Sequence, residues 1–363
     1  MKHIGLDVGN GSTCMFVRLE DGTTLSNMYS STYGVYDADK TQSVPGRPSS
    51  VHNNLDVFTL NQRSYVLGYA AVKASGSEPF STYGREERIH LGAFRTLAKL
   101  ALLDAATMDG ETGVIEVSLG FGVPNEDYRE DKLEFVKLWF SEPITGTKNG
   151  EQVVVMVKDL EFLSQPIAVL MDAYNDTDGF IRDPSLAHEN VLVLDSGSGT
   201  LDMTEIRAMN LHKQVSEAIG MNDVYQRVLE DIERREPKVR ADAYDLEYQL
   251  RNQDGEEERV YRYGPLSIPI TDAYRKALDD VWSNMVGRIE RRVPDRTRFH
   301  RVLLAGGTGD AFYNRFSEWM PQIQKTTDPQ LSIARGLCKY VVSLSADEKE
   351  TTATSDPTQV TPC

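Results

Sequence analysis

An α/β protein built from two duplicated halves is what this sequence predicts, and three stretches carry the prediction. The first is Asp195-Ser196-Gly197-Ser198-Gly199-Thr200-Leu201-Asp202, which follows the apolar run Val191-Leu192-Val193-Leu194 and reads as a buried strand turning through glycines into a second strand. The second, His3-Ile4-Gly5-Leu6-Asp7-Val8-Gly9-Asn10-Gly11-Ser12-Thr13, repeats the design near the amino terminus, with Asp7 closing its strand as Asp195 closes the later one. The third runs from Arg301-Val302-Leu303-Leu304-Ala305 into Gly306-Gly307-Thr308-Gly309, a glycine turn at the carboxyl end of a buried strand, where α/β sheets hold ligands. Glycines let main-chain N–H groups approach an anion with no Cβ in between, so two such hairpins suggest paired jaws on one polyphosphate. Taken singly, each stretch is equally a tight hairpin or a strand-to-helix turn.

Composition sets the outer limits. A chain of 363 residues with 40% hydrophobic content has room for two cores. Its net charge of -16 argues against a broad direct grip on DNA, because phosphate contacts need a basic surface. Cys14, Cys338 and Cys363 are odd in number, far apart and without metal-ligand spacing, which suits a reducing cytoplasm. The amino terminus runs directly into a strand and no stretch approaches the ~20 apolar residues of a membrane span. The expectation is a soluble cytoplasmic protein with no membrane partner.

In chain order, the first hairpin leads through Gly22-Thr23-Thr24 to a third strand at 25–30, and 33–48 is rich in turn formers and reads as a loop or insertion. Val57-Phe58-Thr59-Leu60 and Ser64-Tyr65-Val66-Leu67-Gly68 form another hairpin. Leu91, Phe94, Ala98, Leu102 and Ala105 recur at helical spacing and predict a buried helix over 90–106. A strand at 114–119 ends on Gly120-Phe121-Gly122-Val123-Pro124, read as a connecting turn. A valine-rich strand at 152–158 precedes Ser164-Gln165-Pro166, and Ile167, Leu170, Met171 and Tyr174 then mark a helix with Ser164 as N-cap. Gln165 thus stands at the positive end of a helix, as a surface residue or, where phosphate loops surround it, as the group that orients a water. The polar segment 175–190 joins the halves.

Beyond it, Gly220 precedes a helix that buries Tyr225, Val228, Leu229 and Ile232 and breaks at 234–240, where Pro237 stands. A short helix falls within 241–253, Glu256-Glu257-Glu258 reads as exposed charge rather than a metal site, and two strands flank Gly264-Pro265. Thr271 is expected to cap a long helix with Tyr274, Leu278, Val281, Met285 and Ile289 inward. Asp310 is expected to cap the next helix, and Asp328 with Pro329 to open the last, which buries Ala334, Leu337, Cys338 and Val341. The polar stretch 346–363 is expected to be disordered.

The order of the motifs is more specific than any one of them. D-V-G-N-G-S-T, a glutamine at a helix start, D-S-G-S-G-T-L-D and L-L-A-G-G-T-G, in that sequence, resemble the ATPase superfamily of actin, heat-shock chaperones and sugar kinases. The resemblance spans residues 1–345 and implies an actin-like (ribonuclease H-like) fold, two α/β domains with mixed sheets around a nucleotide cleft. The domains fall at 1–178 with 330–345, carrying a smaller subdomain at 30–110, and at 188–329, carrying one at 221–270. The D-x-G-N-G start, the G-x-G-V-P turn and D-P-x-x-S-I-A-R-G look most like the ParM group of plasmid-segregation actins.

By this resemblance Asp7, Gly9, Asn10, Gly11 and Ser12 form the first phosphate loop and Asp195, Gly197, Ser198, Gly199 and Thr200 the second. Asp7 and Asp195 hold Mg2+ through water, in keeping with its retained hydration shell. Gln165 orients the attacking water, Asp202 stands near the metal, Gly306, Gly307 and Thr308 cradle the base of ATP or GTP, and Gly220 borders the ribose. The implied protein is a filament-forming ATPase that moves plasmid DNA through a ParR-type DNA-binding adaptor. A sugar or small-acid kinase of the same fold, or a non-polymerising nucleotide sensor, is the alternative. The family usually carries a lysine where this chain has Cys14. Cys14→Lys is therefore expected to tighten nucleotide binding in a titration, and unchanged affinity counts against that idea.

Overall fold

The computed structural model describes residues 1–37, 55–81, 88–253 and 257–354. Strand β1 (Lys2–Val8) turns back into β2 (Ser12–Arg18) and then β3 (Thr24–Ser30), an antiparallel meander. β4 (Thr32–Val35) occupies the start of the stretch expected to be a loop, because it pairs with β6 (Arg63–Leu67) and β7 (Pro79–Ser81). The rest of that expected loop, 38–48, lies outside the described residues. β5 (Phe58–Leu60) completes the expected hairpin with β6, and α1 (Tyr69–Ser75) follows. α2 (Gly92–Ala106) buries Phe94, Ala98, Leu102 and Ala105 as spaced, but Leu91 precedes the helix and is 41% exposed.

β8 (Gly113–Val123) is longer than expected: Gly120 to Val123 continue the strand instead of turning, since β1 and β10 (Glu151–Ser164) pair with it on both sides. α3 (Glu130–Phe140) and β9 (Ile144–Lys148) lie between β8 and β10, and α4 (Gln165–Tyr174) follows directly. The first sheet has ten strands in the order β3-β2-β1-β8-β10-β9-β5-β6-β4-β7.

The second half repeats its first five strands. β11 (Asn190–Ser196), β12 (Leu201–Arg207), β13 (Asn210–Glu217), β16 (Arg301–Ala305) and β17 (Ile323–Lys325) form a sheet ordered β13-β12-β11-β16-β17. In both halves two antiparallel pairings are followed by two parallel ones. Parallel neighbours need crossovers, and helices supply them. α5 (Met221–Arg235), α6 (Ala243–Arg251), the hairpin of β14 (Val260–Tyr263) with β15 (Leu266–Pro269), α7 (Thr271–Arg292) and α8 (Gly307–Trp319) fill the second half. The residues expected to be inward on α5 and α7 pack its core.

Three helix starts differ from expectation. Thr271 does not cap α7; its hydroxyl accepts the Arg259 N–H (2.8 Å), so it ties the helix to the preceding strand. Gly306, at φ 84°, carries the chain straight from β16 into α8, which places Asp310 in the first turn rather than at the cap. Asp328 has φ 48° and closes a turn with Leu331, so the last helix, α9 (Ser332–Thr354), starts later and runs into the stretch expected to be disordered. Residues 355–363, with Cys363, and Glu256 of the acidic cluster lie outside the described residues.

α4 and α9 are packed against each other, and a core of Leu163, Val169, Leu170, Val191, Val193, Leu303, Ile333 and Leu337 joins them to both sheets. α9 also lies close on the first sheet because glycines face it: a Cβ on Gly5 of β1 would overlap the Ala334 carbonyl oxygen, and one on Gly120 of β8 would stand 2.7 Å from that of Leu337. Buried Asp172 of α4 accepts from Ser332 Oγ (3.0 Å) and Arg335 Nε (2.6 Å), and Lys339 donates to its carbonyl oxygen (2.6 Å). Buried charges endure where they are paired and hydrogen-bonded, as here.

Candidate functional site

The two glycine hairpins are built alike. Gly9 N–H donates to Ser12 O (2.9 Å), and Gly197 N–H donates to Thr200 O (2.9 Å), the same turn in each half. Asp7 pairs across its hairpin with Cys14, and Asp195 with Asp202, so those two positions are equivalent. The loops meet: a Cβ on Gly11 would lie 2.5 Å from that of Ser198. Ser31 Oγ holds the first loop by donating to Gly9 O (2.6 Å), and Thr308 Oγ1 holds the second by donating to Gly197 O (2.7 Å).

Between them lies a cavity of about 1060 Å³. Asp7, Gly9, Asn10, Gly11, Ser12, Gln165, Asp195, Gly197, Ser198, Gly199, Thr200, Asp202, Gly306, Gly307 and Thr308 all line it. Residues expected at one site from opposite ends of the chain are thus brought to one wall or the other. Gln165 Nε2 donates to Asp7 Oδ1 (2.8 Å), which fixes the amide at the start of α4. Ser164 precedes the helix as expected but makes no capping bond; its Oγ is buried without a partner among the described residues.

Electrostatics single out the carboxylates. Burial raises Asp7 from 3.8 to about 6, against the Gln165 hydrogen bond and the Arg88 charge, which lower it. Asp195 is pushed well above its ordinary value by burial and by the charges of Asp202 and Asp7. Asp202 is raised by burial while its bond from Thr200 Oγ1 (2.9 Å) lowers it. Carboxylates facing one another in a low-dielectric space hold protons until a cation arrives. Among the described residues no group of three or more His, Cys, Asp or Glu could by itself hold a metal, so any ion here needs water or a ligand to complete its shell.

Residues 5–167 match the family model of the actin-like protein N-terminal domain. Over nearly its whole length the chain shares a fold with solved structures of that kind. Apo psk41 ParM is 18% identical over 96% of this chain and 98% of that one, with a TM-score of 0.70. Bacillus thuringiensis ParM with ATP is 16% identical over 96% and 99%, with a TM-score of 0.66. The Alp12 filament structure is 16% identical over 94% and 98%, with a TM-score of 0.63. The fold is that of an actin-like protein. No curated protein matches the chain by sequence.

One expected residue of the chain takes another place. Gly220 stands behind the second loop instead of on the wall: a Cβ there would lie 2.5 Å from the Gly197 and Ser198 carbonyl oxygens. The Thr308 side chain lines the cavity, but its hydroxyl is spent on Gly197. Cys14 also lines the cavity; it is buried against Phe16, Ala334 and Cys338, and Cys338 is the core residue expected.

Other wall residues escaped the sequence reading. Asn125, just past β8 and Pro124, reaches across to the second half through Nδ2 to Thr204 Oγ1 (3.1 Å). Tyr225, Leu250, Arg251, Arg259 and Tyr274 also line the cavity. Beyond them α1 grips α6: Lys73 pairs with Asp245, Tyr69 Oη donates to Asp245 (3.3 Å), and the Tyr69 and Tyr244 rings stack at 6.1 Å. Arg88, in the short turn before α2, donates through Nη1 to Asn10 Oδ1 (2.6 Å) and through Nη2 to Val8 O (2.7 Å). No spacing marks it, because its partners lie in the amino-terminal hairpin.

Proposed function

We propose that this protein is a nucleotide-dependent, filament-forming bacterial actin that binds and hydrolyses ATP between its two halves. The observation that carries the reading is the convergence of both glycine hairpins, the Gly306 turn, Gln165 and the carboxylates of Asp7, Asp195 and Asp202 on one cavity. The halves correspond to domains at 1–178 with 330–345 and at 188–329. Gly9 and Gly197 close the two turns with their own N–H groups, so the backbone N–H groups of Asn10 to Ser12 and Ser198 to Thr200 grip the phosphates, and Gly306 and Gly307 lie against the purine. Mg2+ fits this donor set, since facing carboxylates with raised pKa values are relieved by a cation; it would be held by Asp7 and Asp195 through water and would neutralise the phosphates.

Gln165, held by Asp7, orients the attacking water, and Asp202 lines the same cavity near the metal. ATP closing the cleft would present complementary surfaces to the next subunit, and heterologous contacts that do not close into a ring extend into filaments. Hydrolysis then weakens those contacts. A net charge of -16 suits a cytoplasmic motor that moves plasmid DNA through a basic, ParR-type adaptor instead of gripping DNA itself.

Light scattering of the purified chain with Mg2+ and ATP tests this. Polymer that appears with nucleotide and decays as phosphate is released is the expected result, and no scattering at any concentration, with phosphate passed to a sugar, overturns it. Gln165→Ala is expected to keep the polymer but slow phosphate release by roughly 100-fold or more. Unchanged release removes Gln165 from that role.

A further inference from the structure

The first loop lacks the lysine that its position 14 would supply, yet its cavity does not lack a cation beside that loop. Arg88 is 7% exposed, lines the cavity and rests on the Phe94 ring, its guanidinium 4.4 Å from the centroid. Its two bonds in the site go to a side-chain amide and a backbone carbonyl, both neutral. Among the described residues no carboxylate forms an ion pair with it. Burial pulls its pKa down to about 10, against the charges of Asp7, Asp127 and Glu126, which raise it. A buried charge without a counter-ion is costly, and an arginine fork at the wall of an anion cavity is suited to bidentate phosphate.

Its place in the cavity narrows the anion further. Arg88, Asn10, Asp7 and Gln165 all line the cavity and are joined by hydrogen bonds or by charge, so Arg88 belongs with the glutamine read above as orienting the water that attacks the terminal phosphate. The Asn10 amide oxygen is taken by Arg88, so that side chain has its two N–H donors left for an acceptor in the loop. Resting on the nucleotide reading above, we propose that Arg88 binds the terminal phosphate of a nucleoside triphosphate, replacing the missing lysine and turning Asn10 into a second donor. The chain thereby tells a triphosphate from a diphosphate by a residue outside both glycine hairpins.

The test is the ratio of ATP to ADP affinity, measured by calorimetry on the full chain with Mg2+. Arg88→Gln is expected to weaken ATP by about 10- to 100-fold, the loss for one charge-assisted hydrogen bond, while ADP changes little. Arg88→Lys keeps the charge without the fork and is expected to lower the ratio by less. A ratio equal to that of the wild type, in Arg88→Gln or in Arg88→Lys should the first variant not fold, overturns the proposal and leaves Arg88 as a support for the loop. Wild-type protein that binds neither nucleotide overturns instead the reading on which the proposal rests.

Discussion

Replacing Gly336 with valine is expected to lower the melting temperature of the protein sharply. Gly336 is on α9 where that helix crosses α4, and a Cβ there would overlap the Ala168 carbonyl oxygen and stand 2.7 Å from its carbon. Those are backbone atoms within a helix, so no rotamer change can relieve the overlap. The helices must separate, and they carry the core that joins the two sheets. Overpacking a tight core costs about 1–3 kcal/mol and more where the backbone must shift, so ~3 kcal/mol or more is expected here. Against a total stability of roughly 5–15 kcal/mol this is a large share. Gly287 is the control. It is in α7 with nothing within 4 Å of its would-be Cβ, and Gly287→Ala is expected to stabilise by about 0.5–1 kcal/mol through helix propensity alone. Thermal melting followed by circular dichroism compares them; a Gly336→Val protein that melts with the wild type contradicts the packing argument.

The contrast between those glycines marks what was legible in the sequence. Motifs that act through local chemistry were: strand, aspartate, glycine turn and strand can be recognised at Asp7 and Asp195 because the whole device is contiguous. Helical periodicity likewise gave the inward faces of α2, α5 and α7. Contacts between distant segments were not legible. Gly120 and Gly122 look like a turn in sequence, and only the strands on both sides and α9 above explain glycine inside β8. Helix starts failed at Thr271 and Asp328 for a related reason: each residue can cap, but a tertiary partner or a left-handed turn claimed it first. Arg88 is the extreme case, since its partners in the cavity wall are Asn10 and Val8, to which nothing in its own neighbourhood points.

The last expectation sets stability against function at one carboxylate. Asp195 is 7% exposed and its pKa lies well above 3.8, first through burial and then through the charges of Asp202 and Asp7. A carboxylate whose pKa is raised on folding binds its proton more tightly in the folded state, so stability is fullest below 3.8 and falls as pH rises towards the folded value. Asp7, raised to about 6, adds to the fall between 3.8 and about 6. Asp195→Asn removes the larger part of this dependence because the amide does not titrate. In the absence of nucleotide and metal its melting temperature is expected to exceed that of the wild type at pH 7 and to vary less between pH 4 and pH 8. Hydrolysis should move the other way, by roughly 10- to 100-fold, the usual loss when a group that orients a metal's water shell is removed. A steeper or unchanged pH profile in the variant would mean that Asp195 keeps a partner that offsets its burial. A stabler protein with slower turnover is what a carboxylate held at a cost to the fold for the sake of a cation predicts.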